Sequence, residues 1–318
     1  MGKYIAGRLL LGIPTVFGVS LIIFFSLRVL PGDVLDAMFG PEGGARIAEQ
    51  DRQRIMEQLR LDKPLYVQYW DWASHIVRGD MGRSVLRGTP IAPTLIRRAM
   101  ISAEIAVIAV VLSWVIGLPI GILSALKRET LGDYGMRIFV VALLAIPGFW
   151  LASLIVLVGV LQFGWSTPVG GVRLPWVDPL GNLQQVLPGA FVIGLGASAL
   201  IARMSRSTFL EVIREDYIRT ARAKGLAEGS VVIRHALRNA VMPVITLSAT
   251  AMAHLLGGAV TVEFAFGVPG LGTALTSAIA ERDFIVIQAL AIIYGTTFVL
   301  VNLAVDVSYA WIDPRVRY

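Results

Sequence analysis

The sequence predicts an all-α integral membrane protein with six transmembrane helices. Three observations carry this. Of 318 residues, 56% are hydrophobic and 16% charged, and the mean hydropathy is +0.71. Soluble domains are about half apolar and about a quarter charged. Uncharged runs of bilayer length recur six times, and the basic residues of the short loops fall on one side of the topology those runs define. One soluble core cannot absorb the apolar excess, because cores stop enlarging near this chain length. Composition also excludes disorder, coiled coil and a disulfide scaffold.

A bilayer core takes about 20 apolar residues in helix. The runs are Leu9–Leu27, Ile105–Leu126, Ile138–Val172, Pro179–Ala202, Asn239–Val262 and Phe284–Val305. Lys3 and Arg8 precede the first in the manner of a signal peptide. Its apolar stretch exceeds the roughly 7–15 residues of a signal core, however, and no Ala-x-Ala site follows, so an uncleaved anchor is expected. The second run contains Gly117 and Gly121, a GxxxG pair that points to close helix packing. The third is too long for one span. Its helix is placed at about Ile138–Gln162, ended by Gly164, Pro168, Gly170 and Gly171. The fourth opens on Pro179 and Gly181, so its helix is expected from near Val186. Pro119, Pro147 and Pro188 predict kinks.

Orientation follows from charge. Fifteen Lys and Arg lie in the termini and in the loops Lys127–Arg137 and Arg203–Arg238, against Arg173 and Arg282 in the remaining short loops. The positive-inside rule puts the first set, with both termini, in the cytoplasm. The pI near 9.8 then marks cytoplasmic loops. No nucleic-acid motif accompanies it. Pro31–Met100 becomes an extracytoplasmic helical insertion after the first span. It reads as one helix over about Ala45–Arg60 and a second capped by Asp62, with Pro64 in its first turn and Gly79 beyond its end. In the second, Leu65, Tyr69, Trp72 and Ile76 share a face. That face either docks a partner or packs on the membrane interface or a neighbouring helix. The chain thus divides into 1–100, the anchor helix with the outer segment, and 101–318, the transmembrane domain.

Several chemistries drop out. There is no cysteine, no HExxH and no G-x-x-x-x-G-K-[ST] phosphate loop, so no metal site, no catalytic residue and no ATP site is assigned to this chain. Ionisable groups in or near spans are Glu104, Glu263, Asp306 and His254. The first three sit near span ends, where structural pairing is expected, Asp306 with Arg315 or Arg317. His254 either lines a translocation path or bonds to a backbone carbonyl. An alternative reading combines Gly196-Ala197-Ser198-Ala199 with His254, which resembles the helix-borne nucleophile and base of rhomboid-type intramembrane serine proteases. It requires the Ser198 hydroxyl within hydrogen-bond reach of His254. A passive channel or secondary transporter is the other alternative.

The most informative stretch is the cytoplasmic loop 203–242. It has no proline, is interrupted at Gly225 and can restart at Gly229 and Ser230, so it reads as helix, tight turn, helix. Leu210, Ile213, Tyr217 and Ala221 share one face at helical spacing, and Arg214, Arg219, Arg222 and Lys224 supply polar faces. Such an amphipathic knuckle either docks on another protein or folds back on the inner membrane surface.

This loop resembles the cytoplasmic EAA loop of permease subunits in ABC importers. The Glu-Ala-Ala positions are Arg219, Thr220 and Ala221 here, followed by Gly225 at family spacing. The expected Ile-x-Leu-Pro becomes His235, Ala236, Leu237 and Arg238, with the proline delayed to Pro243. DYIRTARAKGL (216–226), RHALRNAVMP (234–243), LPGD (30–33), GDMGRS (79–84), VEFAFGVPGLG (262–272), ERDFIVIQ (281–288) and VNLAVDVSYAWIDPRVR (301–317) are similar to the dipeptide/oligopeptide branch, in order and over almost the whole chain. Val268 stands where that family usually has Trp. The resemblance implies a type I ABC importer permease fold in the cell membrane and ATP-driven uptake of dipeptides, oligopeptides or a related small solute. It implies a second homologous permease as heterodimer partner, two cytoplasmic ATPase subunits that bind the ATP and Mg, and no cofactor on this chain. It also implies an extracytoplasmic solute-binding protein, whose expected docking surface includes part of 31–100 and the loop near Gly270. The coupling helix would comprise Asp216, Tyr217, Arg219, Thr220, Ala221, Arg222, Lys224, Gly225 and Leu226. His254 and Ser198 remain candidates to line the pathway, and membrane lipid surrounds the spans.

Overall fold

Helices make up nearly all of the regular structure in this computed structural model, which describes residues 2–26, 63–84, 86–168, 170–248 and 259–312. Among the described residues the only strand-like pairing is a bridge between Arg83 and Pro90. The chain forms two compact units, one of Met1–Ala99 with Thr273–Tyr318 and one of Met100–Gly272.

In the first unit, α1 (Gly2–Ser26) packs along α12 (Phe284–Ile312). Glycine makes the contact close: a Cβ on Gly295 would fall 2.7 Å from Val19 Cγ1. Next comes α2 (Leu65–Val77). Its aromatic face packs on a neighbouring helix, with Tyr69 and Trp72 5.3 and 5.7 Å from the Phe24 ring and the Tyr69 and Ser20 hydroxyls 2.8 Å apart. Pro64 is the N-cap instead of a first-turn residue, and Gly79 follows the end with φ +83°. The helix expected over Ala45–Arg60 and the Asp62 cap lie outside the described residues. Beyond α2, two of the motifs meet. Ser84 donates to Asp283, and Arg87 donates to Glu281 at 2.5 Å.

The second unit takes most of α3 (Ile91–Leu126), which starts well before the uncharged run because Ile91, Leu95 and Ile101 are buried. The single helix expected over 138–162 is instead two, α4 (Leu131–Ala145) and α5 (Gly148–Phe163), bent by 94°. The cause is Pro147. It has no N–H to continue the ladder, and it holds Ile146 extended at φ −81°, ψ 120°. Next comes α6 (Pro179–Val212), which begins before Val186 because Asp178 caps it, accepting from the Gly181 amide at 2.9 Å. Pro188 in α6 and Pro119 in α3 lie inside continuous helices.

Two faces of α6 are used. One joins α5, α3 and α10 (Val260–Phe266) in a core that includes Ile105, Ala152, Val186, Ala190, Phe266 and Val268. Val268, the departure from the family's Trp, is therefore a core residue. The other face meets the GxxxG pair. A Cβ on Gly117 would lie 2.5 Å from the Ser198 carbonyl oxygen, and one on Gly121 would overlap the Ala202 carbonyl. The pair therefore lets two backbones approach directly, as expected. Of the fifth run, residues 242–248 are helical and 249–258 lie outside the described residues. After α10 the chain turns at Gly267 into α11 (Leu271–Glu281). Among the described residues α3, α6 and α12 are long and apolar enough to cross a membrane, and the bent pairs raise the number of such spans to at most five.

Candidate docking site

After Val212 the chain leaves α6 and immediately rewinds as α7 (Asp216–Ala223). The end of α7 fixes the knuckle. The Gly225 amide donates to the Arg222 carbonyl at 2.9 Å and the Leu226 amide to the Ala221 carbonyl at 3.4 Å, with Gly225 at φ +76°. These are the two bonds of a Schellman stop, and they require a left-handed residue at that point, which glycine supplies without a Cβ clash. The expected turn at Gly225 is therefore formed, and helix resumes at α8 (Glu228–Ser230).

The return strand of the knuckle holds a feature the sequence did not reveal. Val231–Ala236 form a π-helical turn before α9 (Leu237–Ala240). Its i→i+5 pitch puts Val231 and Ala236 on one face, and both are fully buried. They close over Ile218, Ala221, Phe209, Ala240 and Ala125, an apolar pedestal under α7. Here the structure corrects the expected apolar face. Tyr217 is 40% exposed, and Ile218 takes the buried place. Periodicity counted from Leu210 and Ile213 does not carry through the break before Asp216, because α7 begins a new helical phase. Ala221 is likewise buried in its own hairpin, so its small side chain fits the pedestal instead of an external surface.

What faces outward is mainly charged and polar: Asp216, Tyr217, Arg219, Thr220, Arg222 and Lys224 are all exposed, with the apolar Leu226 exposed beside them. Asp216 and Arg219 pair at 3.1 Å. Arg222 grips Glu228 with two bonds of 2.6 and 3.1 Å, spanning the Gly225 turn. This bond holds the Glu228 carboxyl below its usual range and raises the Arg222 guanidinium. Asn239 donates to the Tyr217 hydroxyl at 2.7 Å. One side-chain bond ties the knuckle to the long helices, and a second set of bonds ties those helices to one another. The Thr208 hydroxyl of α6 lies 2.9 Å from the Ala240 carbonyl. Just above, Arg206 of α6 binds Asp133 of α4 at 3.0 Å and Ser124 of α3 at 2.9 Å. Sequence reasoning missed this knot; its visible sign was Asp133, one of two acids, with Glu129, in a loop that also carries Lys127, Arg128 and Arg137.

The other candidates fall elsewhere. Ser198 is buried and donates its hydroxyl to the Leu195 carbonyl at 2.6 Å, an internal helix contact. His254 lies outside the described residues, as do the side chains of Asp306, Arg315 and Arg317. Glu104 accepts from Asn182 Nδ2 at 2.9 Å, a structural pairing. Glu263 is buried against the Gly270 loop. Gly270 itself is buried, while Gly267 of the same loop is exposed.

Residues 117–318 match the family described as binding-protein-dependent transport system inner membrane component. Over its full length the chain is 37% identical to the glutathione transport system permease protein GsiC of Escherichia coli (strain K12), with 100% of both chains covered. The same identity and coverage hold for GsiC of Shigella boydii serotype 4 (strain Sb227). Among solved structures, the MetNI methionine ABC transporter in an inward-facing conformation matches with a TM-score of 0.57 at 20% identity, covering 69% of this chain and 96% of that one. An amino acid ABC transporter with histidines matches at a TM-score of 0.54 and 15% identity, covering 69% and 94%. These two similarities show the fold.

Proposed function

The chain belongs to the binding-protein-dependent transport system inner membrane family, and from that premise we propose what it carries and how it is driven. It is a multi-pass permease subunit of an ABC importer, a class that works with an ATPase and a binding protein. We infer that its solute is a short peptide, a class that includes glutathione, the solute in the name of its 37% identical relative. It forms half of the pathway beside a second, homologous permease, with both termini cytoplasmic. Two ATPase subunits bind ATP and Mg, and this chain performs no catalysis of its own.

The observation that carries the coupling reading is the knuckle's division of labour. Its outward face is charged while its inward face is buried on α6 through Phe209. α6 continues from that pedestal as one 34-residue helix. A partner that grips Arg219, Lys224 and Leu226 and moves therefore displaces a long rigid element, without first having to order a loop. Lys224 has no carboxylate partner among the described residues and suits an acidic contact on an ATPase. The protease alternative loses support because the Ser198 hydroxyl is already bonded within its own helix.

The test is reconstitution in proteoliposomes with candidate ATPase, second permease and binding protein. ATP-dependent uptake of glutathione or of di- and oligopeptides is expected. Uptake without ATP would overturn the coupling reading, and ATP-driven uptake of an unrelated solute alone would overturn the substrate class.

A further inference from the structure

On the same side of the second unit as the knuckle, a cavity of about 610 Å³ opens between α3, α4 and α6. Its walls are of two kinds. Ile120, Val140 and Val141 make an apolar wall, while Arg137, Arg203, Arg206 and Arg214 line the remainder with one carboxylate, Glu211. Arg206 is neutralised by Asp133. Arg137, Arg203 and Arg214 have no carboxylate partner among the described residues. Three unneutralised guanidiniums therefore converge on one crevice. The apolar wall also runs on into exposed surface, with Ile138 70% and Val141 63% exposed on α4. These side chains are mostly exposed in this chain and belong to a helix pair apolar enough to enter a bilayer.

We propose that this cavity binds an anionic phospholipid. Its phosphodiester sits on Arg137, Arg203 and Arg214, and its acyl chains lie along Ile120, Val140 and Val141. Guanidinium forks match phosphate oxygens, and basic crevices between membrane helices suit anionic headgroups. A soluble phosphate would use the arginines but leave the apolar wall uncovered, so the continuity of that wall with the exposed α4 face selects the lipid. The site lies beside Leu210, which packs on the pedestal, so an occupant braces α6 where α7 hangs from it. The proposal does not depend on the solute or on coupling.

Native mass spectrometry of the full chain, purified with the chains that accompany it, tests this by titration with phosphatidylglycerol, phosphatidylethanolamine and inorganic phosphate. The expected result is a phosphatidylglycerol adduct that phosphatidylethanolamine does not replace and inorganic phosphate does not displace. Arg137→Gln with Arg203→Gln should weaken it roughly 25-fold, at about five-fold per arginine, whereas Arg219→Gln on the knuckle should leave it unchanged. The pair Arg137→Lys with Arg203→Lys keeps the charge and should retain the preference; it serves where the glutamine pair does not fold. Equal retention of both lipids, wild-type binding by the glutamine pair, or displacement by inorganic phosphate would each overturn the proposal.

Discussion

Ser102 donates a 2.6 Å hydrogen bond to Glu263 across 161 positions of sequence. The other carboxylate oxygen accepts from the Gly272 amide at 2.7 Å, and the Ser102 oxygen accepts from the Leu271 amide at 2.8 Å. Two otherwise unpaired amides at the start of α11 are thereby satisfied, and a negative charge sits at the helix end that favours it. Both side chains are 1% exposed, so water cannot substitute. Glu263→Gln keeps the shape and loses the charge, and should cost about 1–3 kcal/mol, with Glu263→Ala costing more. The thermal midpoint in one detergent measures both, and an unchanged midpoint in Glu263→Ala would refute the role.

Two glycines of the long helices should respond oppositely to the same substitution. A Cβ at Gly121 overlaps the Ala202 carbonyl, whereas one at Gly196 meets nothing within 4 Å. Gly196→Ala should stabilise by up to about 1 kcal/mol through helix propensity. Gly121→Ala must push α3 from α6, and should destabilise by about 1–3 kcal/mol despite the same propensity gain. Equal midpoints for the two variants would contradict the close approach.

These cases also show what the sequence could and could not tell. The GxxxG spacing pointed to Gly121 because contact between small residues has a local signature. The Gly225 turn was legible for the same reason, since a left-handed stop needs a particular residue at a particular place. Glu263 was visible only as an acid near a span end. Its partner is 161 positions away, and nothing local encodes that pairing. The register of α7 was misjudged by one residue because helical phase is lost wherever a helix stops and restarts. The break at Pro147 was expected as a kink; its size depends on what packs around it, which lies beyond local sequence.

The Arg222–Glu228 pair gives the turn a pH dependence of known sign. Arg222 holds Glu228 below its ordinary value of 4.5, so the folded form favours the carboxylate. The contribution is therefore full above the unfolded value and is lost as pH falls through the lower, folded one. Both side chains are more than a third exposed, so solvent screening limits the effect to about 0.5 kcal/mol or less. Glu228→Gln should mimic the acid form at neutral pH, speeding amide exchange at Gly225 and Leu226 by no more than about two- to three-fold. High salt should produce the same change in the wild type and none in the variant. A salt effect of equal size in both would remove the pair from the account.

Gly225 and the outward charges separate the shape of the knuckle from its recognition. Gly225→Val forces a branched residue to φ +76°, costing at least about 1–2 kcal/mol locally, whereas Gly225→Asn tolerates the left-handed region. Arg219→Glu with Lys224→Glu reverses two exposed charges and leaves the pedestal of Ile218, Ala221 and Phe209 intact. In reconstituted vesicles, Gly225→Asn should transport near the wild-type level. Gly225→Val and the charge-reversed pair should both lose uptake, for different reasons. The valine variant should also lose amide protection in 216–230, because its turn no longer closes. The charge variant should keep that protection and fail only to retain or stimulate the ATPase. Full uptake by the charge-reversed pair would mean that the partner grips something other than this face. Lost protection in that pair would mean that the charges hold the knuckle together, not the partner.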